Sequence, residues 1–179
     1  MAITAPAFVM RYPYLRKRTR DLFCFLSQIR YGTRFVARRM GYQLLFDLDG
    51  VVDRYVLAFG FYEREQRAAL FAAAADLAKS GSPRIFFDIG AHWGVYALWA
   101  QSSGLFDRVV AVEADPRNVG QLLANLYLNE LNGVIEVVAA AAAAETGSVT
   151  FSLANQSAGA HRPGARWPAS RPAASRAAR

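Results

Sequence analysis

The chain has 179 residues, 54% hydrophobic and 20% charged, which suits one globular domain and excludes a fibrous or wholly disordered chain. Its net charge of +7 is unevenly spread: residues 1–40 hold nine Lys or Arg and one acid, residues 41–157 hold seven bases and thirteen acids, and residues 158–179 hold five Arg and no acid. An acidic middle argues against a basic nucleic-acid-binding core, and a single cysteine, Cys24, excludes an intrachain disulfide and disfavours a thiolate zinc site.

The lone thiol fits a reducing compartment, and the expected location is cytoplasmic. No stretch reaches the roughly 20 apolar residues of a membrane span. The N-terminus lacks the ordered charge, core and cleavage pattern of a secretory signal.

Residues 1–40 read as a basic extension. Arg16-Lys17-Arg18-Thr19-Arg20 adjoins Tyr12 and Tyr14, and Leu22, Phe25, Leu26 and Ile29 recur at helical spacing, predicting a helix over 21–40. Its basic side is read as a solvated face capping the domain, with weak peripheral membrane contact as the other reading.

Residues 41–62 read as two strands. Tyr42, Leu44, Phe46 and Leu48 alternate with other residues, Asp49-Gly50 is a hairpin turn signal, and Val51 to Phe59 supplies the partner strand. Asp47, Asp49 and Asp53 invite a Ca²⁺ reading, but the closing Glu of an EF-hand loop is missing and turn formation explains them better.

Glu63 to Lys79 is rich in strong helix formers, with Leu70, Ala73, Ala74 and Leu77 as the apolar face, and Ser80-Gly81-Ser82-Pro83 stops it. The stretch Arg84 to Tyr96 then reads as strand, glycine loop and helix start. Ile85, Phe86 and Phe87 form an apolar run expected to be covered on both faces. Asp88 ends that run, and Gly90 and Gly94 flank a tight turn. After the helix, Val109 to Val112 is a second strand ending on Glu113. Asp115 and Pro116 suit a cap and first turn, so a helix runs to about Leu131 with Val119, Leu122, Leu123 and Leu126 buried, closed by Asn132-Gly133. Val134 to Val138 is a third strand, six alanines follow, and Val149 to Leu153 is a fourth, antiparallel or edge piece. From Ala154 on, Val, Ile, Leu, Phe and Tyr are absent, and disorder is expected.

The order β-α-β-α-β predicts an α/β, Rossmann-like doubly wound sheet with the Gly90 loop and Glu113 at one carboxyl edge. Gly90 and Gly94 let the backbone approach a ligand, and the next helix offers free N–H groups to a carboxylate or phosphate. Glu113, 25 positions past Asp88, can accept ribose hydroxyls. A dinucleotide loop prefers G-x-G-x-x-G, whereas here His92 stands near the middle glycine and Asp88 would repel a phosphate. A cationic amino-acid group would be attracted instead. S-adenosylmethionine carries one, with a sulfonium and a ribose, so it is favoured over NAD.

Asp88-Ile89-Gly90-Ala91-His92-Trp93-Gly94-Val95-Tyr96, Val110 to Asn118, and Leu122 to Asn129 together resemble the FkbM-type family of class I S-adenosylmethionine-dependent methyltransferases. Gly60-Phe61-Tyr62-Glu63 and Glu145 to Phe151 add to the likeness, which covers about 42–153. The resemblance implies that Asp88, Gly90, Ala91, His92 and Gly94 line the methionine part of the cofactor, that Glu113 binds the ribose and that Ala114 lies beside the adenine. It also implies methyl transfer, commonly to a hydroxyl oxygen of a small-molecule or glycan acceptor. From the charge distribution no nucleic-acid partner is expected, and from the lone cysteine and the aspartate spacing no metal. The catalytic base stays unassigned.

Four segments follow: a basic helical extension (1–40), a hairpin and helix leading into the core (41–83), a partial cofactor-binding methyltransferase domain (84–153) and an Ala/Arg/Pro-rich tail (154–179). The family's Lys-Ile-Asp-Val-Glu-Gly-like strand end has no counterpart after Leu153, so the C-terminal half of the sheet is expected to be missing and the tail to be a truncation or frame-shift product. A non-catalytic remnant whose basic ends bind an anionic partner is the competing reading, and a nicotinamide-dependent oxidoreductase a weaker one. Locally, His92 reads as a loop-shaping residue before a base, Asp88 as a ligand contact before a cap, Trp93 and Tyr96 as packing, and Asn125 and Asn129 as either structural or site residues.

Overall fold

A computed structural model describes residues 11–60, 62–79, 81–145 and 147, with the backbone of 150–153 and 161–166. The readings placed on residues 1–10, on Phe61 and on most of the 154–179 tail lie outside the described residues.

Helix α1 (Pro13–Tyr31) starts with Pro at its first position and ends at Gly32, whose φ of 83° leaves the helical region. It does not run to Met40 as expected. Beyond Gly32 the chain extends into β1 (Arg34–Arg39), which turns at Met40-Gly41 and pairs antiparallel with β2 (Tyr42–Asp47). Both turn residues have positive φ, 55° and 91°, as a two-residue hairpin whose twist matches its strands requires. Leu44 and Phe46 alternate inward from β2 into the core.

Val51 to Phe59 is therefore not the partner strand of β2. It is helix α2 (Val51–Phe59), ending at Gly60 in the left-handed region. Val56, Leu57, Ala58 and Phe59 are all buried, and a short apolar run enclosed on all sides has no periodicity to separate helix from strand. Asp53 decides the matter locally: its Oδ1 accepts the Asp47 N–H at 2.9 Å, folding the helix back on the end of β2. The other aspartates of the trio are engaged too. Asp47 pairs with Arg34 at 2.6 Å, and its Oδ1 accepts the Asp49 N–H at 3.1 Å.

Helix α3 (Arg64–Ala78) is where the sequence predicts it, but only Ala74 of the expected apolar face is buried; Ala73 and Leu77 are exposed. Strand β3 (Ile85–Ile89), helix α4 (Val95–Ser103), strand β4 (Arg108–Glu113), helix α5 (Pro116–Leu128) and strand β5 (Ile135–Ala139) follow. The three strands form a parallel sheet in the order β3-β4-β5, with Asp88 beside Ala111 and Glu113 beside Ala139. This is the expected α/β, Rossmann-like arrangement. Asp115 caps α5 by accepting the Arg117 N–H, and the helix ends at Leu128, before the expected Leu131. Leu123 is exposed, against expectation, while Asn118 and Asn125 are buried.

The core joins Leu44 and Phe46 of β2, Val56 and Leu57 of α2, Trp93, Leu98 of α4, Val109 of β4, and Leu122 and Leu126 of α5. It lies on one side of the sheet only. Ile85, Phe87 and Ile89 are 46%, 58% and 57% exposed, so β3 is not covered on both faces as its composition predicts. It is an edge strand, and no described element lies over its outer face. The last two strands, β6 (Thr150–Leu153) and β7 (His161–Arg166), pair antiparallel. The tail is thus not without structure: part of it forms backbone pairs that need no apolar side chains.

Candidate functional site

Strand β3 delivers Asp88 to the sheet edge, and β4 delivers Glu113 next to it. Backbone bonds join the two ends: the N–H groups of Gly90 and Ala91 both donate to the Val112 carbonyl, at 2.8 and 3.0 Å. Glu113 completes the link. Its Oε2 accepts the His92 N–H at 2.8 Å, and its Oε1 accepts those of Ala114 at 2.9 Å and Asp115 at 2.7 Å. The predicted residues Asp88, Gly90, Ala91, His92, Gly94, Glu113 and Ala114 are therefore brought together at one edge, as the crossover argument requires.

The loop's shape has local causes. Gly90, His92 and Gly94 all have positive φ, at 79°, 53° and 92°. At Gly94 a side chain is barred twice, because a Cβ there would lie 2.4 Å from Leu122 Cδ1. At Gly90 a Cβ would meet nothing within 4 Å, so the space over that peptide is open to a ligand. Gly94 closes the turn by donating to the Ala91 carbonyl at 2.8 Å and leads directly into α4.

Asp88 is largely buried, and its Oδ2 accepts the Ala97 N–H in the first turn of α4 at 2.9 Å. The carboxylate thus caps the helix that follows the loop. Burial lifts its pKa to about 6; the Ala97 bond opposes that rise and the nearby Glu113 adds to it. Tyr96 lies in the same turn and donates to Glu63 Oε2 at 2.7 Å; burial, with Glu63 close by, pushes its phenol well up. The site edge is acidic and has a low tolerance for further negative charge.

Glu113 bears on the fit to S-adenosylmethionine. A carboxylate offers about four acceptor positions, and three N–H groups already use three of them here. Two ribose hydroxyls are accepted together only if one backbone partner is released.

The sequence reading left one group undecided: Asn125 and Asn129. With Gln121 they form a ladder of amides at i, i+4 and i+8 along α5, facing the free edge of β2. Asn129 accepts the Gln43 N–H at 3.0 Å and donates to the Gln43 carbonyl at 2.7 Å. Asn125 accepts the Leu45 N–H at 2.8 Å, and Gln121 donates to the Leu45 carbonyl at 2.8 Å and to Asp53 Oδ1 at 2.6 Å. The side chains replace a third strand on that edge. The four-residue spacing was readable; their partners, 68 to 86 positions upstream, were not.

No family model and no curated protein sequence matches the chain. Solved structures similar to it include a SAM-dependent methyltransferase from Agrobacterium tumefaciens (18% identity, 62% of this chain and 33% of that one, TM-score 0.43). The human methyltransferase 10 domain containing protein is another (19%, 71% and 54%, 0.46). A third is the human Mettl16 catalytic domain in complex with MAT2A 3′UTR hairpin 1 (20%, 69% and 36%, 0.44). The chain spans between a third and about half of the length of these structures. The last of them corrects the expectation that nucleic acid is no partner: that domain is seen with an RNA hairpin. The acidic middle of this chain was a weak ground for the exclusion, because net charge is a sum and a local basic surface suffices for phosphate contact. Among the described residues, no helix is long and apolar enough to cross a membrane.

Proposed function

We propose that residues 84–139 form the cofactor-binding part of an S-adenosylmethionine-dependent methyltransferase of the FkbM type. The observation that carries this reading is the pairing of Glu113 with the His92 N–H across a glycine loop preceded by the buried Asp88. Two carboxylates on either side of an open Gly90 oppose a pyrophosphate and favour a ligand with a cationic end and a ribose. S-adenosylmethionine, when bound, supplies the methyl group to be transferred.

The chain's own residues would do the following. Gly90 gives the ligand access to the loop backbone, and Asp88 attracts the ammonium end. Glu113 exchanges one backbone N–H for ribose hydroxyls, with Ala114 beside the adenine. The fixed loop orients the bound group, and orientation is the main catalytic contribution open to these residues. The acceptor is a hydroxyl-bearing small molecule or glycan, and an RNA acceptor is a second class that titration with an RNA hairpin tests.

Calorimetric titration with S-adenosylmethionine and with NAD tests the reading. Binding of the first only is expected, with Glu113→Ala abolishing it and Asp115→Ala keeping it. Binding of NAD instead, or of neither by a folded chain, overturns it. Equal loss in both variants overturns the ribose assignment.

A further inference from the structure

We propose that Asn125 is a positioning residue for the cofactor loop, and that through it the β1–β2 hairpin is a working part of the site. The ligand in this inference rests on the function proposed above; the anchoring of the loop does not.

Each residue from Gly90 to Gly94 has a specific restraint. Gly90 and Ala91 are held by the Val112 carbonyl, His92 by Glu113, and Gly94 by the Ala91 carbonyl and the Leu122 side chain. Trp93 is held by Asn125, whose Nδ2 donates to its carbonyl at 3.0 Å. The first four restraints come from the sheet, the loop or the packed face of α5. The fifth leads out by hydrogen bonds to another unit, because the same amide accepts the Leu45 N–H of β2 at 2.8 Å, beside the edge-on packing of the Trp93 ring against Phe46.

Asn125 is 0% exposed. A buried amide is costly unless both its ends are paired, and here the pairing is between two backbones that sit 48 positions apart in the chain. An apolar residue would fill the same volume without that cost, but it could not align the Trp93 carbonyl with the Leu45 N–H. The geometry makes the two sites share one side chain. Without the hairpin, Asn125 loses the Leu45 N–H that orients its amide, and the Trp93–Gly94 peptide keeps only the Gly94 bond to the Ala91 carbonyl as a fixed restraint.

Asn125→Asp separates the two contacts. In its ionised form, which measurement at about pH 8 favours, the introduced carboxylate still accepts the Leu45 N–H but has no hydrogen to give the Trp93 carbonyl. The comparison is Asn129→Ala, which removes the contacts to Gln43 and one to the Asn125 backbone carbonyl, and keeps both side-chain bonds of Asn125. Asn125→Asp is expected to weaken S-adenosylmethionine about tenfold in calorimetry, one hydrogen bond's worth. Asn129→Ala is expected to change it less than about twofold by the same measure. The ¹⁵N resonance of Gly94, whose nitrogen is bonded to the Trp93 carbonyl carbon, should shift in the first variant and not in the second. Should Asn125→Asp fail to fold, Asn125→Ser is measured in its place, with the same Gly94 shift expected. An unmoved Gly94 resonance, or equal weakening by both variants, overturns the inference. If the native chain binds no S-adenosylmethionine, the proposed function fails, and the Gly94 shift alone decides the positioning role.

Discussion

Glu113 holds His92: a carboxylate at the end of one strand accepts, at 2.8 Å, the N–H of a residue in the loop leaving the neighbouring strand. The residue proposed to bind a ribose is thus also the one that shapes the loop. Glu113→Gln separates these roles. One amide nitrogen then faces backbone N–H donors, and leaving such a donor unpaired costs about 1–3 kcal/mol. Urea denaturation should give a loss in that range.

Gly94 and Gly90 respond differently to alanine. Gly94→Ala adds left-handed strain and a clash with Leu122, for about 2 kcal/mol or more of lost stability. Gly90→Ala adds strain alone, about 1 kcal/mol, because nothing fills the space in front of it. Its effect is expected mainly in calorimetric affinity for S-adenosylmethionine, since the methyl occupies the ligand's approach.

Asp53 sets a pH dependence. Burial raises its pKa from 3.8 to about 6, so between those values the folded chain binds a proton that the unfolded chain has lost. Stability is therefore highest near pH 4 in this respect and falls as pH rises to about 6, by on the order of 2 kcal/mol. Asp88 contributes in the same direction and window. Asp53→Asn keeps an acceptor for the Asp47 N–H and should reduce the slope by about half, read as Tm against pH.

Phe87→Thr tests the uncovered face of the sheet. At 58% exposure the ring has little burial to lose, and threonine keeps the preference for a strand. The change in unfolding free energy should stay within about 0.5 kcal/mol. The same substitution at the buried Phe46 should cost at least about 3 kcal/mol.

The legibility of the chain varied with how local each cause was. Ile85 to Gly94 was readable because an apolar run, an acid and two glycines act within a few residues of one another. Val51 to Phe59 was misread because Asp49-Gly50 carries a hairpin signal that the fold does not use, while Met40-Gly41, the actual turn, directly follows arginines that look like a solvated helix face. Gly32 was the missed cue: it breaks the helix and frees Arg34 to Arg39 to become a strand. That Asp88, the Gly90 loop and Glu113 meet at one sheet edge was readable, but not the bonds of Glu113 and Asp88, since a carboxylate's choice of backbone N–H groups depends on three-dimensional proximity. Asn125 was beyond reach for the same reason, with partners on both sides that no spacing rule connects.

The margins at β2 and β3 differ in what they offer another molecule. On β2, the backbone groups of Gln43 and Leu45 and the N–H of Asp47 are all taken by side chains of the same chain. That margin has nothing left with which to recruit a foreign strand. On β3, pairing is on one side only, and the row beside it carries Ile85, Phe87 and Ile89. Flat, apolar, half-paired margins template strand addition between chains. When this protein is concentrated, strand addition is therefore expected along residues 85–89 and not along β2.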